Sequence, residues 1–230
     1  MRKTISLTLK ILTLLCSLTG VVLGCFLFEK DGYSAWYKRL YYFTNLSNLW
    51  ISITMIFAII VSFAKTAKGK NYAKIVYVCK YVFTISISIT GLIFCGLLAP
   101  FAEDGYNPWS LNSILVHVLT PTFAIADFFV DEYNLVLKTR HVFLTVIPPL
   151  LYFVFALIMG ACGVDFGKGD TFPYFFMDFH SPVGLFGFSF APPRPAMGAV
   201  YWIILFSLLV LGLAWVFKRF SSLARNAKRN

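Results

Sequence analysis

Six apolar stretches alternate with short polar segments along the chain. About 20 apolar residues suffice for a helix to cross the hydrocarbon core of a membrane. Backbone groups in hydrocarbon must hydrogen-bond within their own segment, and no stretch alternates as a barrel strand does, so each is expected to be a helix. The pattern predicts an all-α protein with six transmembrane helices at residues 5–27, 43–63, 75–98, 112–130, 142–162 and 198–217.

The fourth apolar segment is the shortest and the most polar of the six. It contains His117, Thr120, Pro121, Thr122 and Asp127. Because polar side chains are costly against lipid, we expect them to face the interior of the helix bundle.

Composition indicates a membrane protein rather than a water-soluble domain. Of the 230 residues, 59% are hydrophobic and only 13% are charged, and the mean hydropathy is +0.76. So few charged residues would cover the surface of a soluble domain of this length poorly. We therefore predict an integral membrane protein formed by a single domain, residues 1–230.

The basic residues are distributed unequally between the two sides that six spans would create. Six spans would place the two chain ends on the same side of the membrane. That side, with its connections and the adjoining helix ends, holds 15 of the 20 Lys and Arg residues. The positive-inside rule places both termini in the cytoplasm. The net charge of +10 is then mainly a topology signal, and a nucleic-acid partner is disfavoured because the charges are split among loops and tails.

The N-terminus and the cysteines have alternative interpretations. The stretch that ends at Val22-Leu23-Gly24-Cys25 has the outline of a lipoprotein signal, but it is long for one, so we expect it to be retained as the first span. The five cysteines form no CxxC and no metal-binding spacing with histidine. Cys25, Cys95 and Cys162 fall at equivalent helix ends, which permits one disulfide, although small buried hydrophobes are the favoured interpretation.

The connection between the fifth and sixth segments, residues 163–197, is far longer than the others. It is rich in proline and aromatic residues, above all in Pro173-Tyr174-Phe175-Phe176-Met177-Asp178-Phe179-His180. Long ordered loops in compact domains often cover a functional site. We predict an ordered loop on the outer side of the membrane, which either caps the bundle or closes over a site there.

A stripe of hydroxyl and amide side chains opens the second segment. Thr44, Ser47 and Asn48 share a helix face, while Asn45 points about a third of a turn away. Taken singly, such residues are usually structural, since Thr bonds to its own backbone and Asn joins helices. His117 lies at the same expected depth as Thr44, near the outer face. A hydroxyl and an imidazole at one level are a candidate nucleophile and base.

These motifs together resemble the bacterial branch of the androgen-induced gene product family, which includes the androgen-dependent TFPI-regulating protein. The similarity covers about residues 41–178. It rests on Tyr42-Phe43-Thr44-Asn45-Leu46-Ser47-Asn48-Leu49, on His117-Val118-Leu119-Thr120-Pro121 with Asp127, and on Tyr152 with the stretch from Pro173 to Asp178. The resemblance implies six helices in a bacterial cytoplasmic membrane.

The resemblance also implies an intramembrane threonine hydrolase that cleaves lipid esters, such as fatty acid esters of hydroxy fatty acids. Thr44 would be the nucleophile and would carry the acyl group, and His117 would be the general base. Asn45, Asn48 and Ser47 are candidates for stabilising the oxyanion or orienting the substrate.

Four further residues are candidates for a supporting role. Tyr174, Asp178 and His180 lie in the long loop, from which Asp178 or His180 would reach His117. Asp127 is ten residues after His117, about 15 Å along a helix, and is too far for a direct bond. It is therefore also a candidate for organising the inner end of the bundle.

Two other functions remain open at this point. A membrane acyltransferase would pass the acyl group from Thr44 to a second lipid, and a non-enzymatic lipid-binding or transport protein would use the polar stripe to line a cavity. Membrane lipids are the expected partners in all three cases. Nothing in the sequence requires a metal or an organic cofactor, and the oligomeric state is left open.

Overall fold

The structure, a computed structural model, describes residues 1–64, 71–101, 107–131, 136–167, 169–190 and 196–226. Within these residues, six helices are long and apolar enough to cross a membrane: α1 (Arg2–Phe26), α2 (Phe43–Phe63), α3 (Asn71–Leu98), α4 (Leu111–Val130), α5 (Thr139–Ala161) and α6 (Ala199–Asn226). The predicted all-α, six-helix membrane protein is confirmed. The largest difference in helix bounds is at α6, which continues to Asn226 because a helix need not stop where its apolar stretch ends. The cytoplasmic position of the termini stays a prediction.

The connections contain short elements of their own. A 3₁₀ turn, Trp36–Tyr41, leads into α2, and a second one, Phe175–Met177, lies in the α5–α6 loop. The same loop has a two-stranded antiparallel ladder of β1 (Phe188–Ser189) and β2 (Ala196–Met197), in which Phe188 is opposite Met197. Over its described residues the loop is therefore ordered, as expected.

Helix α3 lies at the centre of the bundle, with 56% of its apolar stretch buried. Two glycines permit close packing on either side of α4. A Cβ on Gly20 of α1 would lie 2.5 Å from the Val116 side chain, and one on Gly91 of α3 would lie 2.8 Å from the carbonyl oxygen of His117. Since neither position has room for a side chain, α1 and α3 approach α4 closely at the level of His117.

Both α3 and α4 contain one widened, π-helical turn at the same level, at Phe94–Leu98 and Leu115–Leu119. In α4 the turn precedes Pro121, which has no N–H and whose ring would crowd the His117 carbonyl in a regular helix. The Thr120 hydroxyl donates to the Leu115 carbonyl, 2.8 Å away. Single π-helical turns often occur at functional sites.

The polar residues of α4 are buried, with one exception. His117, Thr120, Pro121 and Asp127 face the interior as predicted. Thr122 does not: it is exposed, and its hydroxyl donates to the Val118 carbonyl, 2.7 Å away, so its polarity is satisfied within the helix.

Four charged side chains form a buried cluster towards the end of the bundle that contains the N-terminus. Lys10 of α1 lies 2.9 Å from Asp127 and 3.1 Å from Asp131, and Lys80 of α3 lies 2.5 Å from Asp127 and also contacts Asp131. The lysines are 2% and 1% exposed and the aspartates 0% and 15%. Two positive charges meet two negative charges, so the cluster is neutral and ties α1, α3 and the end of α4 together.

All five cysteines are free thiols. None is fully buried, so the interpretation as small buried hydrophobes is wrong: Cys16, Cys25 and Cys79 are half-buried, and Cys95 and Cys162 are exposed. The two exposed cysteines lie at the ends of apolar helices, where a thiol costs little against lipid or interface.

Candidate active site

Thr44 and His117 meet at the end of the bundle opposite the charged cluster. Thr44 is the second residue of α2, and His117 lies in the π-helical turn of α4. The distance from Thr44 Oγ1 to His117 Nε2 is 3.2 Å. The structure thus brings the two residues to hydrogen-bonding distance at one depth.

The second ring nitrogen of His117 determines which tautomer faces Thr44. Its Nδ1 is 3.0 Å from the main-chain carbonyl oxygen of Ser113. A carbonyl only accepts hydrogen bonds, so Nδ1 carries the proton and donates it. Nε2 of the neutral ring is then left with a lone pair directed at the Thr44 hydroxyl, which is the arrangement that a general base requires.

The Phe94 ring packs against one face of the His117 imidazole. The two rings are stacked, with centroids 3.8 Å apart and an angle of 10° between their planes. His117 itself is only 9% exposed. Ring stacking and the Ser113 carbonyl together restrict both torsions of the histidine side chain.

The amide and hydroxyl side chains near Thr44 differ in whether their hydrogen-bond donors are already used. Nδ2 of Asn48 donates to the carbonyls of Thr44 (2.8 Å) and Val116 (3.2 Å), which uses both of its hydrogens and joins α2 to α4. Ser47 is fully buried and hydrogen-bonds with Thr90 of α3, 2.9 Å away. Neither residue is therefore placed to donate to an oxyanion beside Thr44.

Asn45 is better placed than Asn48. It lines the cavity at Thr44, and its amide nitrogen donates to the Arg39 carbonyl, 2.6 Å away. That bond uses one of the two amide hydrogens. Within the described part of the chain no acceptor is assigned to the second hydrogen, which can serve a group bound in the cavity.

Tyr174 reaches Thr44 from the α5–α6 loop. Burial raises the pKa of Tyr174 to about 12, and its interactions with the hydroxyl and main chain of Thr44 lower the pKa only in part. The phenol therefore stays protonated at neutral pH and can donate a hydrogen bond. Its ring is fixed by stacking on Phe176, with centroids 5.0 Å apart, and by an edge contact with Tyr42.

Asp178 and His180 were expected to reach His117, but the structure gives them other partners. Asp178 lines the cavity, but its Oδ1 accepts from the His180 main-chain N–H, 2.9 Å away, and shapes the loop. The His180 ring packs against Phe172 and Phe179 and is exposed. Asp127 belongs to the buried charged cluster. The group that orients His117 is the Ser113 carbonyl instead.

Two cavities of different character meet at Thr44. The larger, here called the polar chamber, has a volume of about 520 Å³, is partly open, and is lined in part by Asp31, Arg39, Asn45, His117, Asp170 and Asp178. The smaller, here called the apolar slot, has a volume of about 50 Å³ and lies between α3, α5, α6 and the Phe175–Met177 turn. Thr44, Leu98 and Tyr174 line both.

Arg39 is a cavity residue that the sequence did not reveal. Its guanidinium forms an ion pair with Asp31 and lies 4.8 Å from the centre of the Tyr33 ring. Nothing in a basic residue of a short loop separates it from an ordinary surface arginine. Ser113, by contrast, stands four residues before His117, the spacing at which a helix carbonyl faces a side chain, although any residue type would supply that carbonyl.

The chain matches no known family model, and neither a curated protein nor a solved structure matches it. The resemblance described above therefore remains an expectation. In the described residues, no group of three or more His, Cys, Asp or Glu side chains is arranged to hold a metal ion.

Proposed function

We propose that the chain is an intramembrane hydrolase of lipid esters that uses Thr44 as nucleophile and His117 as general base. The observation that carries the proposal is the arrangement Ser113 carbonyl, His117 and Thr44, because it gives the imidazole the one tautomer that can take the threonine proton. A lone threonine hydroxyl is a weak nucleophile at neutral pH and needs such a partner.

The reaction proceeds in two acyl-transfer steps. Nε2 of His117 takes the hydroxyl proton as Thr44 Oγ1 attacks the ester carbonyl, and a tetrahedral oxyanion forms. When it collapses, the bond to the alcohol breaks, and the imidazolium returns its proton to the leaving alkoxide. Water then attacks the acyl-Thr44 ester with His117 again as base, which releases a carboxylic acid and restores the hydroxyl.

Two groups are suited to donate to the oxyanion. The Tyr174 phenol interacts with Thr44 from the loop. The Asn45 side chain, which donates one of its two amide hydrogens to the Arg39 carbonyl, lines the same chamber. Donors fixed in advance at the point where charge develops are usually the largest single contribution to catalysis of this type. Tyr174 would thus give the α5–α6 loop a direct part in the reaction.

The surroundings of Thr44 support a lipid ester as substrate and water as acceptor. The site lies at the end of apolar helices, so an ester from the membrane reaches it with its chains still in an apolar environment. Water reaches it through the polar chamber, which is partly open. Fatty acid esters of hydroxy fatty acids are a suitable first substrate, because they join an apolar acyl chain to an alcohol half that ends in a polar carboxylate.

The test is hydrolysis of such an ester by purified protein in detergent. Thr44→Ala and His117→Ala are expected to abolish turnover while the protein remains folded. Thr54→Ala is the matched control for the first, since the Thr54 hydroxyl donates only to the Trp50 carbonyl, 2.8 Å away on the same helix. His180→Ala is the control for the second. Full turnover in both site variants would refute the proposal.

An acyl group trapped on Thr44 distinguishes the enzyme from a lipid-binding protein. Rapid acid quenching during turnover, followed by mass spectrometry of the peptide that contains Thr44, should show the mass of the acyl group. If the acyl group appears on a second lipid rather than as free acid, the chain is an acyltransferase.

A further inference from the structure

Thr44 stands at the boundary of two cavities that share only a few wall residues. The polar chamber and the apolar slot have Thr44, Leu98 and Tyr174 in common, and their other walls are different. An ester has two substituents that diverge from the carbonyl carbon. A nucleophile between two cavities of opposite character therefore suggests that each cavity receives one substituent.

We propose that the apolar slot receives the acyl chain of the substrate and that the polar chamber receives the alcohol portion. This inference rests on the proposed function, because it describes how the ester that Thr44 attacks is oriented. It adds a division of the site into an acyl side and an alcohol side, and it assigns each side to named walls.

Charge and access favour this orientation over the reverse one. The chamber has several charged or polar side chains and is partly open, so the alcohol can leave through it after the first step and water can enter for the second. The slot is lined almost wholly by apolar side chains, among them Ile93, Phe153, Met177 and Phe206. An acyl chain held there stays in place on Thr44 while the alcohol is exchanged for water.

The slot is small enough for single wall residues to determine what fits. A cavity of roughly 150 Å³ takes one benzene molecule, or about 25 Å³ per carbon. The slot, at about 50 Å³, therefore holds roughly two carbons beyond the carbonyl group. A longer chain must displace a wall, and the Phe175–Met177 turn is the wall that belongs to a loop rather than to a spanning helix.

Helix α3 offers a matched pair of wall residues one turn apart. Ile93 lines only the slot, and Leu97 lines only the chamber. Both are aliphatic and partly buried, so truncation of either should affect folding to a similar extent. Ile93→Ala enlarges the slot by three carbons, Ile93→Phe fills it, and Leu97→Ala enlarges the chamber.

The experiment compares two ester series in detergent. In the first, the alcohol is always p-nitrophenol and the acyl group grows from two to sixteen carbons. In the second, the acyl group is always propionyl and the alcohol grows. The readout is the ratio of kcat/KM between long and short members, normalised to wild type, so a general loss of active protein cancels.

We expect Ile93→Ala to raise the long-to-short ratio in the acyl series and Ile93→Phe to lower it. Each methylene newly accommodated is worth about fourfold, so three carbons of space should change the ratio by up to about 60-fold. Leu97→Ala should change only the alcohol series. If Ile93→Ala does not fold, Ile93→Val, which removes one carbon, should shift the acyl ratio in the same direction by a smaller factor.

The remaining outcomes overturn the inference in distinguishable ways. If Ile93 variants change the alcohol series and Leu97→Ala changes the acyl series, the orientation is the reverse. If turnover depends on Thr44 but neither series responds to Ile93, the slot is a packing void and only the proposed function survives. Without any Thr44-dependent turnover, the proposed function fails, and the assignment of the two sides fails with it.

Discussion

The buried charged cluster allows a strong prediction about stability. Lys10→Met keeps an unbranched side chain one atom shorter and removes its charge, and it leaves Asp127 and Asp131 with Lys80 alone. Lys10 contacts the two carboxylates at 2.9 and 3.1 Å. At an effective dielectric constant of roughly 20, each such contact is worth about 4 kcal/mol or somewhat more. Desolvation of the lysine, which costs several kcal/mol, offsets part of this.

The expected net effect is a loss of about 3–5 kcal/mol in the free energy of unfolding, because one buried negative charge is left uncompensated. Lys10→Met combined with Asp127→Asn removes one charge of each sign and leaves Lys80 paired with Asp131. The double variant should therefore be more stable than the sum of the single effects predicts, by up to about 3 kcal/mol.

Reversible unfolding in mixed micelles, with SDS as denaturant and helical circular dichroism as signal, measures these differences. Lys74→Met is the matched control, since Lys74 is an exposed lysine on α3 and should change stability by less than about 0.5 kcal/mol. If Lys10→Met behaves like that control, or if the double variant loses as much as the two single variants together, the electrostatic reasoning is refuted.

Three further predictions concern the site and its loop. Tyr174→Phe keeps the ring and removes the phenol, so kcat for ester hydrolysis should fall about 10²–10³-fold with KM nearly unchanged; a fall below threefold would exclude the phenol as an oxyanion donor. Gly91→Ala forces a Cβ to 2.8 Å from the His117 carbonyl and should destabilise the protein by about 1–3 kcal/mol, whereas Gly212→Ala, where a Cβ meets nothing within 4 Å, should be neutral or stabilising in the same unfolding assay. Hydrogen bonds from the Lys38 side chain and from the N–H groups of Gly167 and Gly169 lower the pKa of Asp165 to about 2. The ion pair that joins Asp165 of the α5–α6 loop to Lys38 should therefore persist down to about pH 4 and weaken as the pH falls towards 2. Limited proteolysis of the loop measures this, and Asp165→Asn should be cut readily at pH 7; equal cleavage of both proteins at every pH would contradict it.

The spans could be predicted because the membrane requires a length and an apolar composition that are visible in the sequence. The shared depth of Thr44 and His117 could also be predicted, because the second and fourth spans cross the membrane in the same direction and each residue lies near the start of its span. What could not be predicted is which polar groups are already satisfied. Asn48 looks like a free donor in a helix stripe, yet both of its hydrogens are used to join α2 to α4.

The partners of charged residues were equally hidden. A sequence pattern locates Asp127 on α4 but does not show that Lys10 and Lys80, which the positive-inside count treats as ordinary basic residues, turn inwards to meet it. Similarly, the loop motif around Tyr174 indicates an ordered loop that caps the bundle or closes over a site. The contact of its phenol with Thr44, however, depends on how α5 and α6 place the loop over α2. Such pairings are set by tertiary packing rather than by local spacing.

Because a main-chain carbonyl orients His117, the effect of mutations at residue 113 should differ from that at a side-chain partner. Because the proton on Nδ1 is held by the backbone of residue 113, no side-chain replacement there deletes that hydrogen bond. A mutational scan in search of an acidic third member would find none, and small residues at 113 should preserve the hydrogen bond, whereas large ones should not fit because Ser113 is only 2% exposed. The sensitive change is one that moves the carbonyl itself, such as inserting or deleting a single residue between 113 and 117. Sequences that preserve this activity should therefore vary among small residues at 113 and hardly at all in the spacing to the histidine.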